Sequence, residues 1–96
     1  MLIIAGHVEV DPAHRDAYVA AFRDLVNRAR RAPGCLDVAI TADPLDPARV
    51  YNFERWDSRE NLEAWRSVAN APDPGIPIKT DHVLEYTVTN ARPPFG

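Results

Sequence analysis

Cysteine is nearly absent from this 96-residue sequence, which contains Cys35 and no other. A single cysteine cannot form a disulfide within the chain. The sequence also has no C-x-x-C pair and no group of cysteines and histidines at the spacing of a zinc site. A disulfide scaffold is therefore excluded, and the sequence predicts neither a metal site nor a bound cofactor.

Long apolar runs and basic clusters are absent as well. No run approaches the roughly 18 apolar residues that span a bilayer, and a net charge of −3 offers no basic face to a phosphate backbone. Met1 leads directly into apolar residues, without the basic segment or the small-residue cleavage site of a signal peptide. We therefore expect a cytoplasmic protein with neither a membrane nor a nucleic acid as partner.

The length of the chain indicates one domain, which we place over residues 1–90 with a proline-rich tail over residues 91–96. With 46% hydrophobic and 26% charged residues, the composition is that of an ordinary globular protein. A chain this short buries only about two-thirds of the surface that its unfolded form exposes. Support from a second subunit is therefore expected.

The first half of the chain reads as a strand followed by a long helix. Residues 2–10 alternate between two sets of side chains, which predicts a strand with different neighbours on its two faces. Asp11 can cap a following helix, and Pro12 suits its first position. Apolar residues then recur at three- and four-residue steps until Pro33, which predicts one long amphipathic helix.

The second half reads as a hairpin, a shorter helix and a final strand. Residues 35–42 and 50–56 alternate around a turn and predict two hairpin strands. Asp57, with Glu60 three residues later, resembles an acidic capping box and predicts the start of the second helix. Residues 82–89 predict the last strand.

This order of elements predicts a fold of the α+β class. The succession strand, helix, strand, strand, helix, strand is that of a ferredoxin-like βαββαβ domain, in which two helices cover one face of a four-stranded antiparallel sheet. The uncovered face is expected to carry Ile3, Ala5, Trp56 and Val83 beside polar groups. Because that face would expose a sizeable apolar patch, we expect a partner sheet to cover it in a homodimer.

The junction after the hairpin carries a family resemblance. Trp56, Ser58 and Trp65 form a W-x-S motif followed by a second aromatic residue, and the segments 33–35 (Pro-Gly-Cys) and 43–47 (two Asp-Pro pairs) accompany it. This pattern resembles the antibiotic biosynthesis monooxygenase family of small dimeric proteins. The resemblance implies a dimeric α+β barrel with a small-molecule pocket between sheet and helices in each subunit.

The resemblance also implies catalytic roles for Asn52 and Trp56. In members of the family that form quinones without a cofactor, an asparagine and a tryptophan at this spacing lie in the active site. There the amide can bind a substrate carbonyl or a reduced oxygen species. Four residues apart on one strand, the two side chains share a face and lie roughly 13 Å apart. The structural alternative is that Asn52 pairs locally and Trp56 closes the end of the barrel.

His7 is the preferred general base, because an imidazole can take up a proton near neutral pH. We expect it to face the same pocket as Asn52 and Trp56, with His82 as the second choice. Glu54 and Arg55 are predicted to form cross-strand or intersubunit ion pairs. Most single histidines in proteins have purely structural roles, and a structural role is the alternative for both histidines here.

The residues predicted to contact the substrate are Trp65, Tyr51, Tyr86, His82 and Ile76. Ile76 lies in a proline-rich segment, residues 71–80, which would either close over the pocket or serve as a linker.

The predicted activity is the oxidation by O2 of an electron-rich phenol, hydroquinone or anthrone, with no cofactor. A non-catalytic small-molecule-binding dimer that accompanies a pathway is the alternative. A haem-degrading enzyme is a second alternative, because haem-degrading relatives share the W-x-S motif at Trp56 and the second tryptophan at Trp65. Their axial histidine is replaced here by Gly75, and their asparagine in the first strand by His7.

Overall fold

The computed structural model describes residues 1–95, and over them it confirms the α+β class, with an antiparallel sheet and helices on one of its faces. None of the helices in these 95 residues is long and apolar enough to cross a membrane. The strands are β1 (Leu2–Glu9), β2 (Cys35–Ala42), β3 (Arg49–Trp56), β4 (Thr80–Asp81) and β5 (Leu84–Thr87). The helices are α1 (Arg15–Ala21), α2 (Arg23–Ala29) and α3 (Arg59–Val68).

Strand β1 lies at the centre of the sheet, whose order is β2-β3-β1-β4 with β5 also paired to β1. β1 and β3 pair along their whole length, from Leu2 opposite Trp56 to Glu9 opposite Arg49. The hairpin strands β2 and β3 are adjacent, as predicted. β2 therefore forms one edge of the sheet, and the two short strands share the other.

The last strand is not continuous, so the prediction of one strand over residues 82–89 is wrong. β4 and β5 each pair with β1, and His82 and Val83 lie between them outside both strands. The cause is Gly6, whose φ is +149° and whose missing Cβ leaves the space that the carbonyl oxygen of His82 occupies. Only glycine allows this close approach of two backbones.

The predicted long helix is also divided. Asp11 caps as predicted, its Oδ1 accepting a hydrogen bond of 2.9 Å from the amide of Ala13. A short 3-10 turn, Pro12–His14, follows, and α1 and α2 are separated at Phe22, where φ is −94° and ψ is 1°. The Phe22 ring packs on Tyr18, with ring centroids 4.9 Å apart. Because no glycine or proline marks this position, the sequence pattern contained no sign of the break.

The cap of α3 is Ser58 rather than the predicted pair of Asp57 and Glu60. Ser58 Oγ accepts from the amide of Asn61 at 3.2 Å. Asp57 instead fixes the approach of the chain, because its carboxylate accepts from Asn61 Nδ2 at 2.8 Å and its amide donates to the carbonyl of Gly34 at 2.9 Å. These contacts hold the start of α3 against the start of β2.

The core lies between the sheet and the helices and has two parts. Burying each of its larger apolar side chains stabilises the fold by about 1.5–3 kcal/mol. The first part consists of Leu2, Ile4, Ala29, Val38, Trp56 and Leu62, and the second of Val8, Val10, Tyr18 and Val50. Val83 packs against both parts.

The other face of the sheet is open, and two residues predicted for it lie elsewhere. Trp56 is fully buried on the helix side, because it pairs with the inward-facing Leu2. Val83 also points to the helix side, since the interruption after β4 changes the alternation there. The apolar side chains that do lie on the open face include Leu84, which is 60% exposed, and Tyr86, which is 48% exposed.

Candidate active site

Three consecutive inward positions of β3 are occupied by Asn52, Glu54 and Trp56. Alternation along the strand places all three on the helix side. Ile40 of β2 pairs with Asn52, and Val38 pairs with Glu54. Two polar side chains therefore stand among apolar neighbours beneath the helices.

A cavity of about 60 Å³ lies at this position, between the sheet and the helices. Its polar lining comes from Asn52 and Glu54, and the indole of Trp65 forms one wall. Aliphatic side chains from α2 and β2 complete the enclosure, namely Leu25, Ala29, Val38 and Ile40. An apolar cavity with a few polar groups is the usual form of a small-molecule site.

Asn52 has an unsatisfied acceptor in this cavity. Its Oδ1 is buried and accepts no hydrogen bond from any residue that the structure describes. Leaving such a buried group unpaired costs about 1–3 kcal/mol. The amide oxygen is therefore poised to accept a hydrogen bond from a molecule in the cavity.

Within residues 1–95, Glu54 does not form the cross-strand ion pair that was one of its two expected roles, while the intersubunit pair stays a prediction. Glu54 forms no ion pair with the described residues, and instead its Oε1 accepts a hydrogen bond of 3.0 Å from Trp56 Nε1. The second carboxylate oxygen remains available as a proton acceptor. The signal was present in the sequence, because Glu54 lies midway between Asn52 and Trp56 and must share their face.

The Trp65 wall is held in place from both sides. Its ring lies against that of Trp56, with centroids 6.3 Å apart and planes inclined by 22°. The guanidinium of Arg28 stands over the Trp65 ring at 5.7 Å from its centroid. Arg28 is itself fixed by Asp24, at 2.8 Å, and by the carbonyl of Ala69, also at 2.8 Å. This wall is therefore well ordered before any ligand binds.

His7 does not face this cavity, so the prediction that it shares a face with Asn52 and Trp56 is wrong. His7 pairs with Tyr51, one position before Asn52, and its side chain leaves the sheet on the open face. Its ring centroid lies 5.8 Å from that of Tyr51 and 4.9 Å from that of His82. The predicted site residues are thus divided between two faces of the sheet.

The remaining predicted contacts also lie away from the cavity. Tyr86 pairs with Ile3 and is exposed on the open face. Ile76 packs on the helix side against the second part of the core and does not line the cavity. Cys35 is not a nucleophile, because burial raises the pKa of its thiol and keeps it protonated at neutral pH.

A wide groove lies outside the cavity, between α1 and α2 and the edge strand β2. Its volume is about 1040 Å³, and charged residues such as Arg23 and Asp24 line it together with apolar ones. Ile40 and its neighbour Ala39 border both the groove and the cavity. The Ile40 side chain therefore separates the buried site from an open surface.

Fold and cavity together define a small α+β domain with a small-molecule site between sheet and helices. The chain belongs to the antibiotic biosynthesis monooxygenase family, whose model matches residues 1–70. The matched range includes Asn52, Glu54, Trp56 and Trp65. Membership supports a monooxygenase-like role in general and does not define a substrate.

Solved structures agree with this assignment. A protein of Chloroflexus aurantiacus J-10-fl, provisionally named an antibiotic biosynthesis monooxygenase, is 30% identical, with 96% of each chain covered and a TM-score of 0.72. Rv0793 of Mycobacterium tuberculosis shares the fold at 20% identity, with 94% of this chain and 95% of that one covered and a TM-score of 0.73. A curated, uncharacterised protein of Synechocystis is 24% identical over 62 residues, which are 65% of this chain and 42% of that protein. This chain therefore matches less than half the length of the Synechocystis protein.

Proposed function

We propose that this protein oxidises a small electron-rich phenol with O2, without a cofactor, in the cavity lined by Asn52, Glu54 and Trp65. The observation that carries the proposal is the buried, unpartnered Oδ1 of Asn52 beside an available carboxylate oxygen of Glu54. The family supports a monooxygenase-like role. The choice of a phenol follows from the chemistry that these groups can perform.

The reaction needs a proton acceptor and a hydrogen-bond acceptor next to the substrate. The free oxygen of Glu54 takes the phenolic proton, and Asn52 Oδ1 accepts a hydrogen bond from a hydroxyl or hydroperoxide of the bound molecule. The resulting phenolate reduces O2, a C–O bond forms at the ring carbon opposite the phenolic oxygen, and Glu54 returns its proton to the peroxide to give a hydroperoxide. The hydroperoxide then loses water as that carbon gives up its hydrogen, so the products are a quinone and one water.

The size of the cavity limits the substrate. A cavity of about 150 Å³ accommodates benzene, so the 60 Å³ found here requires neighbouring side chains to move before even one ring enters. Movement of Ile40 would join the cavity to the outer groove. The reacting ring would then lie beside Asn52 while the rest of a larger substrate, such as an anthrone, lies in the groove.

A homodimer is part of the proposal. Its support is the open face of the sheet, where Leu84, Tyr86 and Tyr51 expose apolar surface. Pairing of two such faces would remove this surface from water and form a barrel from two sheets. The cavity lies on the other side of each sheet, so each subunit keeps its own site.

The experiment is oxygen uptake by the purified protein with a series of monocyclic and polycyclic phenols, together with the absorbance of the quinone formed. Asn52→Ala and Glu54→Gln are each expected to lower kcat/KM at least about tenfold, a loss of roughly 1.4 kcal/mol of transition-state stabilisation. Asn90→Ala and Glu60→Gln are the matched controls, because both residues are exposed and lie outside the cavity.

Full activity in both cavity variants would show that the site is wrongly placed. Absence of turnover with every phenol would refute the catalytic proposal. If a phenol then still bound, and Asn52→Ala weakened that binding, the protein would be a non-catalytic small-molecule-binding protein.

A further inference from the structure

We propose that the open face of the sheet carries a site for one divalent transition-metal ion, held by His7, Glu9 and His82. One ligand atom from each of these three side chains lies within 4.8 Å of the other two. Residue spacing does not indicate this site, because His82 is far from the other two residues in the chain. The fold alone brings the three together.

The backbone positions all three ligands on one face. His7 and Glu9 are two residues apart on β1, so both side chains point to the open face. His82 reaches them because Gly6 leaves room for its carbonyl oxygen, and its amide donates to the carbonyl of His7 at 2.8 Å. The two imidazoles thereby face each other with centroids 4.9 Å apart.

The carboxylate of Glu9 lacks the partner that its position in the sheet would provide. Arg49 lies directly opposite Glu9 in the register. Its guanidinium turns away, however, to the carboxylate of Asp46 at 3.7 Å and the hydroxyl of Tyr51 at 3.3 Å. Within residues 1–95, no side-chain hydrogen bond or ion pair occupies Glu9 or either imidazole. A carboxylate and two imidazoles are thus left free to bind one ion together.

The ligand set indicates the class of metal. Two imidazoles with one carboxylate suit Zn²⁺, Fe²⁺, Co²⁺ or Ni²⁺, whereas Mg²⁺ and Ca²⁺ prefer oxygen ligands only. Three protein ligands leave a fourth position, which water or a group of the partner subunit covering this face in the proposed homodimer would fill. Bonds of about 2.0–2.2 Å place tetrahedral ligands about 3.4 Å apart, so the side chains must close slightly around the ion. His82 is exposed and can make this adjustment.

This site is separate from the one proposed for oxidation. His7, Glu9 and His82 lie on the open face, whereas Asn52 and Glu54 lie beneath the helices. The metal proposal can therefore be tested by binding alone, and its outcome does not depend on whether any phenol is oxidised.

The experiment uses the full chain without an affinity tag, freed of metals by EDTA and dialysis, and titrated with Zn²⁺ against a chromophoric chelator and by calorimetry. We expect one Zn²⁺ per chain with a dissociation constant in the micromolar range or lower, and no displacement by excess Mg²⁺. His7→Ala, Glu9→Gln and His82→Ala should each weaken binding at least about tenfold. His14→Ala is the matched control, since this exposed histidine lies in the turn Pro12–His14 and should not change affinity.

Several results would overturn the site. They are the absence of stoichiometric binding by the wild-type chain, wild-type affinity in the His82→Ala variant, an equal loss in the His14→Ala variant, or one ion per two chains. Because His82 is exposed and outside the core, its variant should fold normally, as circular dichroism would verify. That variant decides the question even if His7→Ala is unstable.

Discussion

The indole nitrogen of Trp56 donates a hydrogen bond to Glu54 Oε1 across 3.0 Å, between two side chains on the same face of β3. Trp56 is fully buried, so the donor has few other positions to adopt. The bond fixes one oxygen of Glu54, a residue that lines the cavity, and leaves the other without a hydrogen bond to the described residues. A core tryptophan thus orients a carboxylate that we assign to proton transfer.

Replacing Trp56 with Phe should affect both stability and turnover. The variant removes the donor to Glu54 and leaves a small void beside Leu62, so the free energy of unfolding should fall by about 1–3 kcal/mol. The rate of quinone formation should fall about tenfold, because the carboxylate loses its fixed orientation. Urea unfolding and oxygen uptake measure the two effects. An unchanged rate in the folded variant would remove the orienting role of Trp56.

Asn52→Leu should stabilise the protein while it abolishes turnover. The leucine has a similar volume and removes an unsatisfied acceptor, which should raise the free energy of unfolding by roughly 1 kcal/mol. Asn90→Leu, at an exposed position, should leave unfolding nearly unchanged. A clear loss of stability in Asn52→Leu would mean that Asn52 has a structural partner, and that the cavity is not a ligand site.

The ion pairs between two arginines of α3 and Glu85 of β5 should make the free energy of unfolding depend on pH. Arg59 donates to Glu85 at 2.6 Å, and Arg66 lies 3.6 Å from the same carboxylate. The Arg59 hydrogen bond, aided by both positive charges, lowers the pKa of Glu85 below its ordinary value of 4.5. A carboxylate with a lowered pKa stabilises the folded state above its unfolded pKa, and this contribution is lost as the pH falls through the folded value.

The difference in urea midpoint between wild type and Glu85→Gln should therefore be fully present above pH 4.5, decrease below it, and vanish once the pH has fallen below the lowered pKa of the folded state. Because the pair is exposed, added salt should reduce the difference. Glu60→Gln, which changes an exposed carboxylate in the first turn of α3, is the control. A difference that grows as the pH falls would contradict the assigned sign.

The open face should pair two chains. Light scattering is expected to give twice the 10.7 kDa of one chain, with an interface of at least about 1,600 Å². Leu84→Glu should dissociate the dimer, because it introduces a charge into the apolar part of that face. Leu45→Glu is the control, since Leu45 is 93% exposed in the hairpin turn. A monomer at micromolar concentration in the wild type would refute the barrel arrangement.

Periodicity predicted the strands better than it predicted which face each side chain occupies. Alternation within a strand shows that Asn52 and Trp56 share a face, and the structure confirms this. Whether that face also carries His7 depends on the register between β1 and β3. A shift of one residue in this register exchanges the two faces, and residue periodicity does not define the register. The assignment of His7 to the cavity failed for this reason.

The contacts that sequence reasoning missed come from chain segments far apart. His82 joins His7 and Glu9 only through the interrupted pairing of β4 and β5 with β1, which a search for close spacings cannot detect. The break at Phe22 likewise depends on how its ring packs against Tyr18. Glu54 differs, because its place between Asn52 and Trp56 was sufficient to assign its face.

Gly6 gives a criterion for comparing relatives of this protein. Any side chain at this position would displace the carbonyl of His82 and with it Val83, which packs against both parts of the core. In relatives with a larger residue here, we expect the end of the chain to pair with β1 without this offset, so that His82 no longer lies beside His7. In an alignment, glycine at position 6 should accompany histidine at positions 7 and 82, and the three should be lost together.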